Sequence, residues 1–205
     1  GFPTADFRTI NSAATPLGAT GFWTGNKIFS LFARAGYEYD RRYSVTFSLR
    51  RDGSSRFGAS NRFATFPSVQ VGWNVTNEKF MERTSNWLSN MKVRYAWGQS
   101  GNDQIGNFDA LGLFGGGRQY NSTPGIFYSQ LSSPTLRWEL RTENNIGLDL
   151  GFFKDRITTS IDVYRRINSK LLLGRSLYQT TGFTSFFTGS TSFSFTFGSV
   201  STTSF

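Results

Sequence analysis

The chain of 205 residues is long enough to bury a sizeable core, and its 22 Lys and Arg against 13 Asp and Glu give a net charge of +9. It has neither Cys nor His, which excludes disulfides, thiolate or imidazole metal centres, and Ser-His-Asp or Cys-His catalysis within these residues. Only 38% of residues are hydrophobic, mean hydropathy is −0.34, and no run approaches the roughly 18 apolar residues of a membrane helix, a test that leaves a membrane β-barrel untouched.

The basic residues are scattered over strand faces and loop ends without a nucleic-acid-binding module, so no nucleic-acid partner is expected. The first residues carry no signal-peptide pattern, and the chain reads as an internal piece of a longer one.

Seven stretches alternate apolar and polar residues: Trp23–Tyr39, Arg42–Arg51, Thr65–Val75, Asn90–Gly98, Arg137–Phe152, Ile157–Leu173 and Gly189–Gly198. Side chains on a strand point to opposite faces with period two. In the second, Tyr43, Val45, Phe47 and Leu49 share one face while Ser44, Thr46, Ser48 and Arg50 share the other. The third and fourth set Val69, Val71, Trp73 and then Met91, Val93, Tyr95, Trp97 against polar neighbours. Val45, Phe47, Leu49, Val69, Val71, Ile146, Leu148, Ile161 and Val163 are therefore expected on one apolar outer face.

Two hairpins can be registered from sequence. A three-residue loop Asp40-Arg41-Arg42 matches Tyr39 to Tyr43 and Tyr37 to Val45. With Lys154 and Asp155 at a two-residue turn, Phe152 meets Ile157, Leu148 meets Ile161 and Ile146 meets Val163, while Glu143 meets Arg166 and Glu139 meets Lys170 on the polar face. A one-residue slip would reverse every side chain, so agreement of both faces argues for the register.

Short connections at 40–42, 76–89 and 153–156 alternate with long ones at 52–64, 99–136 and 174–188, as periplasmic turns alternate with extracellular loops in outer-membrane barrels. Segment 76–89 is expected to hold a helical turn capped by Asn77, with Phe80, Met81 and Trp87 at the membrane interface. Tyr37, Tyr39, Tyr43, Trp73, Trp87 and Trp97 are assigned to aromatic girdles. Seven strands cannot close a barrel, so more sequence must complete it.

The strings Tyr39-Asp40-Arg41-Arg42-Tyr43, SLRRDGSSRFG at 48–58, TFPSVQVGW at 65–73, NWLSNMKVRYAWGQSGN at 86–102, LRWE at 136–139, NIGLDLGFF at 145–153 and TTGF at 180–183 together resemble the carboxy-terminal barrel half of SusC-like (RagA-like) TonB-linked outer-membrane transporters. The resemblance covers roughly residues 28–185. It implies an all-β, 22-stranded antiparallel transmembrane barrel in the outer membrane of a Gram-negative bacterium, of which 1–205 is one incomplete part. It also implies an amino-terminal plug and TonB box lying outside this chain, a SusD-like surface lipoprotein as lid, and import of oligosaccharides or peptides. After Arg175 no charged residue follows, and 186–205 narrows to Phe, Gly and small polar residues. That tail reads as residue types assigned by side-chain shape rather than translated from a gene, although its backbone is expected to form a seventh strand antiparallel to Ile157–Leu173.

Glu139, Glu143, Arg166, Lys170, Asp149 and Asp162 are the candidate lumen-facing charges, either structural or along a substrate path. Asp149 and Asp162, diagonal on the polar face, also have the form of a catalytic carboxylate pair, but charges are ordinary in a wet lumen, and no enzymatic activity is expected. Arg50, Arg51, Arg56 and Arg62 are candidates for outer-membrane lipid phosphate or lid contacts, with solvated strand ends as the plain alternative. Asp52-Gly53-Ser54-Ser55 lacks the ligand count of a calcium loop and reads as a turn. No metal or cofactor is expected. The alternative architecture is a soluble β-sandwich that binds glycans through exposed aromatics; it differs in burying its apolar face against a second sheet.

Overall fold

The structure, a computed structural model, describes residues 23–84, 87–121, 123–190 and 200–204. Eleven strands are present among them: β1 Ile28–Tyr39, β2 Tyr43–Ser54, β3 Phe63–Asn74, β4 Leu88–Asn102, β5 Leu113–Tyr120, β6 Thr123–Gln130, β7 Glu139–Phe152, β8 Ile157–Ser169, β9 Leu171–Ser176, β10 Ser185–Ser190 and β11 Val200–Ser204. Seven form one antiparallel sheet in the order β1-β2-β3-β4-β7-β8-β11, while β5 pairs with β6 and β9 with β10 as separate hairpins.

Both sequence-derived registers hold. Tyr39 opposes Tyr43 and Tyr37 opposes Val45, across a turn closed by Arg42 N–H to Tyr39 O at 2.9 Å. At the other hairpin Phe152 opposes Ile157, Leu148 opposes Ile161 and Glu143 opposes Arg166. Phe153, Lys154 and Asp155 all take the left-handed conformation, with φ of 52°, 60° and 61°, so the connection 153–156 keeps the expected register without being the expected two-residue primed turn.

Other expectations need correction. The ladder of β7 and β8 ends at Leu140 opposite Ser169, because Lys170 adopts φ 56° and turns the chain out of the sheet into β9. The expected strand Ile157–Leu173 is thus two strands, and Glu139 does not oppose Lys170. Within the expected seventh strand Gly189–Gly198, residues 191–198 lie outside the described residues, and Gly189 and Ser190 belong to β10. The strand that does pair antiparallel with β8 is β11, from Val200 opposite Ile161 to Ser204 opposite Ile157. Asn77 ends a short 3-10 turn, Val75–Asn77, and caps nothing: its side-chain amide donates to Arg41 O at 2.7 Å. A second 3-10 turn follows at Lys79–Thr84. Asp52 to Ser54 are not a turn but the end of β2. The stretch 99–136, read as a loop, contains the end of β4 and the β5–β6 hairpin.

Among the described residues the apolar face of the large sheet has no covering layer. Val45, Phe47, Leu49, Val71, Ile146 and Val163 are exposed and Val69, Leu148 and Ile161 are half-buried, with Ile146 at 58%. A sandwich would pack these residues against a second sheet, and the two remaining sheets are hairpins of two strands each. Exposed apolar residues in so continuous a band call for a nonaqueous surrounding. β1 is exposed on both faces along its whole length, as the edge of an unclosed barrel must be.

The buried core lies instead at the end of the sheet that carries the long connections, built by those connections and the strand ends beside them. Phe57, Phe66, Ile105, Ala110, Leu136 and Trp138 form it, with Ala64, Leu140 and Leu172 against its flank. Phe66 lies in the first half of β3 on its polar side, and Gly101 makes room for it, since a Cβ there would overlap its ring. Trp138 packs edge-on to Phe66 at 5.6 Å between ring centroids and donates its indole N–H to Arg62 O at 3.0 Å. This inward turn of Trp138 explains why β7 begins at Glu139 rather than at Arg137.

Placing a charge on the outer face should cost far more than trimming the inner one. Ile146→Arg in the full-length protein is expected to lose about 2–4 kcal/mol in guanidinium titrations in phospholipid vesicles, whereas Thr46→Ala on the polar face should stay within about 0.5 kcal/mol.

Candidate functional site

The polar face of β4, β7 and β8 carries the densest charge in the sheet. In β4, Lys92 and Arg94 alternate with apolar neighbours; register brings Arg94 opposite Gly147, and Lys92 opposite Asp149. Asp149 opposes Ser160, and Gly147 opposes Asp162. Arg94 therefore lies flat across β7. Its Nε and Nη2 donate to the two oxygens of Asp149 at 2.6 and 2.8 Å, and Nη2 reaches Asp162 at 3.4 Å. Ser160 Oγ donates to Asp149 at 2.7 Å. Gly147 is what permits this arrangement, because a Cβ there would sit 2.7 Å from Asp162 Oδ1 and 2.8 Å from Arg94 Cζ.

The diagonal placement of Asp149 and Asp162 is as the sequence suggested, but the guanidinium between them changes its meaning. Both carboxylates are engaged by one fixed cation and a hydroxyl, the geometry of a charge clamp rather than of an acid and base poised for proton transfer. Four residues away along the strands, Arg166 Nε donates to Glu143 Oε2 at 2.9 Å while its guanidinium stands 5.3 Å over the ring of Tyr164. Glu139 takes a different partner from the expected one: Asn102 Nδ2 donates to it at 3.2 Å. Lys170 is exposed beyond the strand bend.

The four arginines near the end with the long connections separate. Arg50 Nε pairs with buried Asp52 at 2.8 Å. Arg56 donates to Asn107 Oδ1 at 3.1 Å and to Asp103 O at 3.1 Å, while buried Ser54 donates to Asp103 Oδ2 at 2.7 Å; these bonds tie the β2–β3 and β4–β5 connections together. Arg51 stands 5.3 Å over the Phe63 ring, and Arg62 is exposed. Arg50 is open as well, its side chain 61% exposed despite its ion pair, and only Arg56 is drawn into the loops.

The opposite end, that of the short connections, is closed by Glu78, between the two 3-10 turns. Tyr43 Oη donates to it at 2.6 Å, Trp73 Nε1 at 3.1 Å and Arg42 Nη1 at 3.5 Å. Those hydrogen bonds, Tyr43 first, hold its carboxyl below the usual carboxylate range. Tyr43 stacks on Trp73 at 6.4 Å and Trp87 on Phe152 at 6.0 Å, two ring pairs beside the short connections. Trp97 lies further along β4, opposite Val69 and Asn144.

Arg94 and Gly147 were not singled out from sequence. The alternation put Arg94 on the polar face, but its partners depend on β4 pairing with β7 across a long connection that no local pattern reports.

A sheet with one bare apolar face, one ion-paired face and short turns opposite long loops defines part of an antiparallel transmembrane β-barrel. No protein-family model matches the chain. It is 41% identical over 160 residues to the TonB-dependent receptor SusC of Bacteroides thetaiotaomicron, covering 75% of this chain and 16% of the relative. It is 39% identical over 160 residues to TonB-dependent receptor P39 of Formosa agariphila, covering 78% of the chain and 15% of that relative. Among solved structures, the RagAB peptide transporter superposes with a TM-score of 0.73 at 33% identity over 80% of this chain and 18% of the other. The chain belongs to the SusC- and RagA-like family of TonB-dependent receptors and is a portion of the barrel, spanning under a fifth of the length of these relatives.

Removing the central cation should be worse than removing its far partner. Arg94→Met strands two partly buried carboxylates and should cost about 1–3 kcal/mol, more than Asp162→Asn, in the same unfolding assay. Glu78 gives a pH signature. Its depressed folded pKa means that its contribution is present above the unfolded value of about 4.3 and is lost as pH falls through the lower folded value. The stability difference between wild type and Glu78→Gln should accordingly be constant at neutral pH and shrink below about pH 4.

Proposed function

We propose that the whole protein is a TonB-dependent importer of nutrients across the outer membrane of a Gram-negative bacterium, and that this chain is part of its barrel wall. The observation that carries the reading is the single sheet with an uncovered apolar exterior and a charged interior, superposing on a peptide transporter's barrel at 33% identity. In this reading Arg94, Asp149, Asp162, Glu143 and Arg166 line the lumen along the path of the cargo. Oligosaccharides and peptides are the two substrate classes, the second being what the RagAB neighbour carries. A plug and a TonB-binding segment elsewhere in the protein gate the lumen, and a SusD-like surface lipoprotein covers its mouth. Arg51 and Arg62 supply the outward cations for lipid phosphate or for that lid, while Arg56 holds the loops. Nothing in the clamp suggests bond-making chemistry, and its relatives are receptors rather than enzymes.

The test is uptake. Cells that depend on the full-length protein for growth on an oligosaccharide or peptide source should lose that growth when TonB is deleted, and the purified protein should carry a co-purifying surface lipoprotein. Unimpaired growth without TonB would contradict the reading.

A further inference from the structure

β3 and β4 part before they end. Their ladder stops at Ser68 opposite Gly98, although β3 begins at Phe63 and β4 runs on to Asn102. The ring of Phe66 fills the gap between them, lying where a Cβ on Gly101 would stand. Against that ring is a cleft of about 290 Å³, with Phe63, Thr65, Gln99, Arg137, Leu140 and Lys170 in its lining, a volume at the lower end of ligand sites. Parity sets it on the apolar side of the sheet. Phe63 and Thr65 share a face with Val69 and Val71, Gln99 with Val93 and Tyr95, and Leu140 with Ile146 and Leu148. β3, β4 and β7 each have both neighbours in the seven-stranded sheet, so the cleft belongs to the interior of the sheet and not to an edge.

The charge around it has one sign. Arg137 and Lys170 line the cleft and are exposed, and Arg51, opposite Thr65 across the ladder, stands 5.3 Å over the Phe63 ring. Among the described residues none of these three makes an ion pair, although Arg50, Arg56, Arg94 and Arg166 all do. Every described carboxylate on a strand of the large sheet, from Glu38 in β1 to Asp162 in β8, holds a polar-face position, so the apolar side carries cations without a counter-charge. Next to Arg51 and Thr65 along the same face come Leu49 beside Pro67 and Phe47 beside Val69, the start of the bare apolar band. A ligand that answers both features is an anion attached to hydrocarbon. Free phosphate would leave the band uncovered, and a lid over the loop tips would not reach a cleft that looks sideways from the wall.

We propose that the cleft between β3 and β4 binds the phosphorylated headgroup of an outer-leaflet lipid. Arg51, Arg137 and Lys170 surround the phosphate, Thr65 and Gln99 donate hydrogen bonds to headgroup oxygens, and the acyl chains lie along Leu49, Pro67 and Val69. The inference rests on the outer-membrane reading and assigns Arg51 to lipid rather than to the lid.

The full-length protein in nonionic detergent is titrated with diphosphoryl lipid A, with the same lipid stripped of phosphate, and with inorganic phosphate, bound lipid being counted by native mass spectrometry. The phosphorylated lipid should bind at least about tenfold more tightly than the stripped one, and inorganic phosphate at matched concentration should not displace it. The triple variant Arg51→Gln, Arg137→Gln, Lys170→Gln should lose that preference. Arg34→Gln, Lys79→Gln, Arg141→Gln, an equal loss of charge away from the cleft, should keep it. Equal affinity of the wild type for the two lipids, displacement by inorganic phosphate, or an unaltered preference in the cleft variant would overturn the proposal. So would release of a co-purifying lipoprotein by the cleft variant with lipid binding unchanged, the mark of a lid contact. The comparison of lipids uses wild-type protein and does not depend on the folding of any variant. TonB-dependent growth without a phosphate preference sinks the site and leaves the importer standing, whereas growth that needs no TonB, with the preference intact, does the reverse.

Discussion

Every backbone N–H and C=O that crosses hydrocarbon must find its partner inside the protein, because lipid offers none. That requirement makes the ladder from β1 to β11 the frame on which everything else in this chain hangs. Once the ladder's register is set, the side chains have no further choice of face, and a single slip would carry Leu148 and Ile161 into the lumen and Asp149 and Asp162 into lipid. The charged clamp is therefore a product of pairing: Arg94 reaches both aspartates only because β4 lies beside β7 in one register.

The two ends of the sheet solve a different problem from its middle. Where strands leave the membrane, connections must be held without a covering layer. At the end of the short connections this is done with few residues, through Glu78 and its three donors. At the end of the long ones it takes a true core, with Leu136 fully buried and Phe57 nearly so, and a hydrogen-bond network through Asp103. Packing and hydrogen bonds among the loops themselves thus hold this end.

The sequence made the middle of the fold legible because alternation is a local signal. Val45, Phe47 and Leu49 reveal their face from nearest neighbours alone, and the 153–156 hairpin reveals its register because both faces agree across a short turn. The ends were less legible. The bend at Lys170 depends on a single left-handed residue that no pattern announces, and the β5–β6 hairpin has Gly-rich, irregular strands with register shifts. The clamp was half visible: Asp149 and Asp162 were found, but the arginine between them comes from a strand separated by a long connection. The core residues Trp138 and Phe66 sit in strand-like strings, and only the packing of loops over them distinguishes an inward anchor from a girdle ring.

The central claim is that one face of this sheet meets lipid and the other water. This chain contains no Cys, so spin labels can be introduced singly along β8 of the full-length protein in vesicles, from Thr159 to Arg166. Collisional accessibility should alternate with period two, oxygen favouring Thr159, Ile161 and Val163 and a water-soluble nickel reagent favouring Ser160, Asp162 and Tyr164. Uniform accessibility to the nickel reagent, or protection of the first set from both reagents as in a packed two-sheet core, would contradict the account.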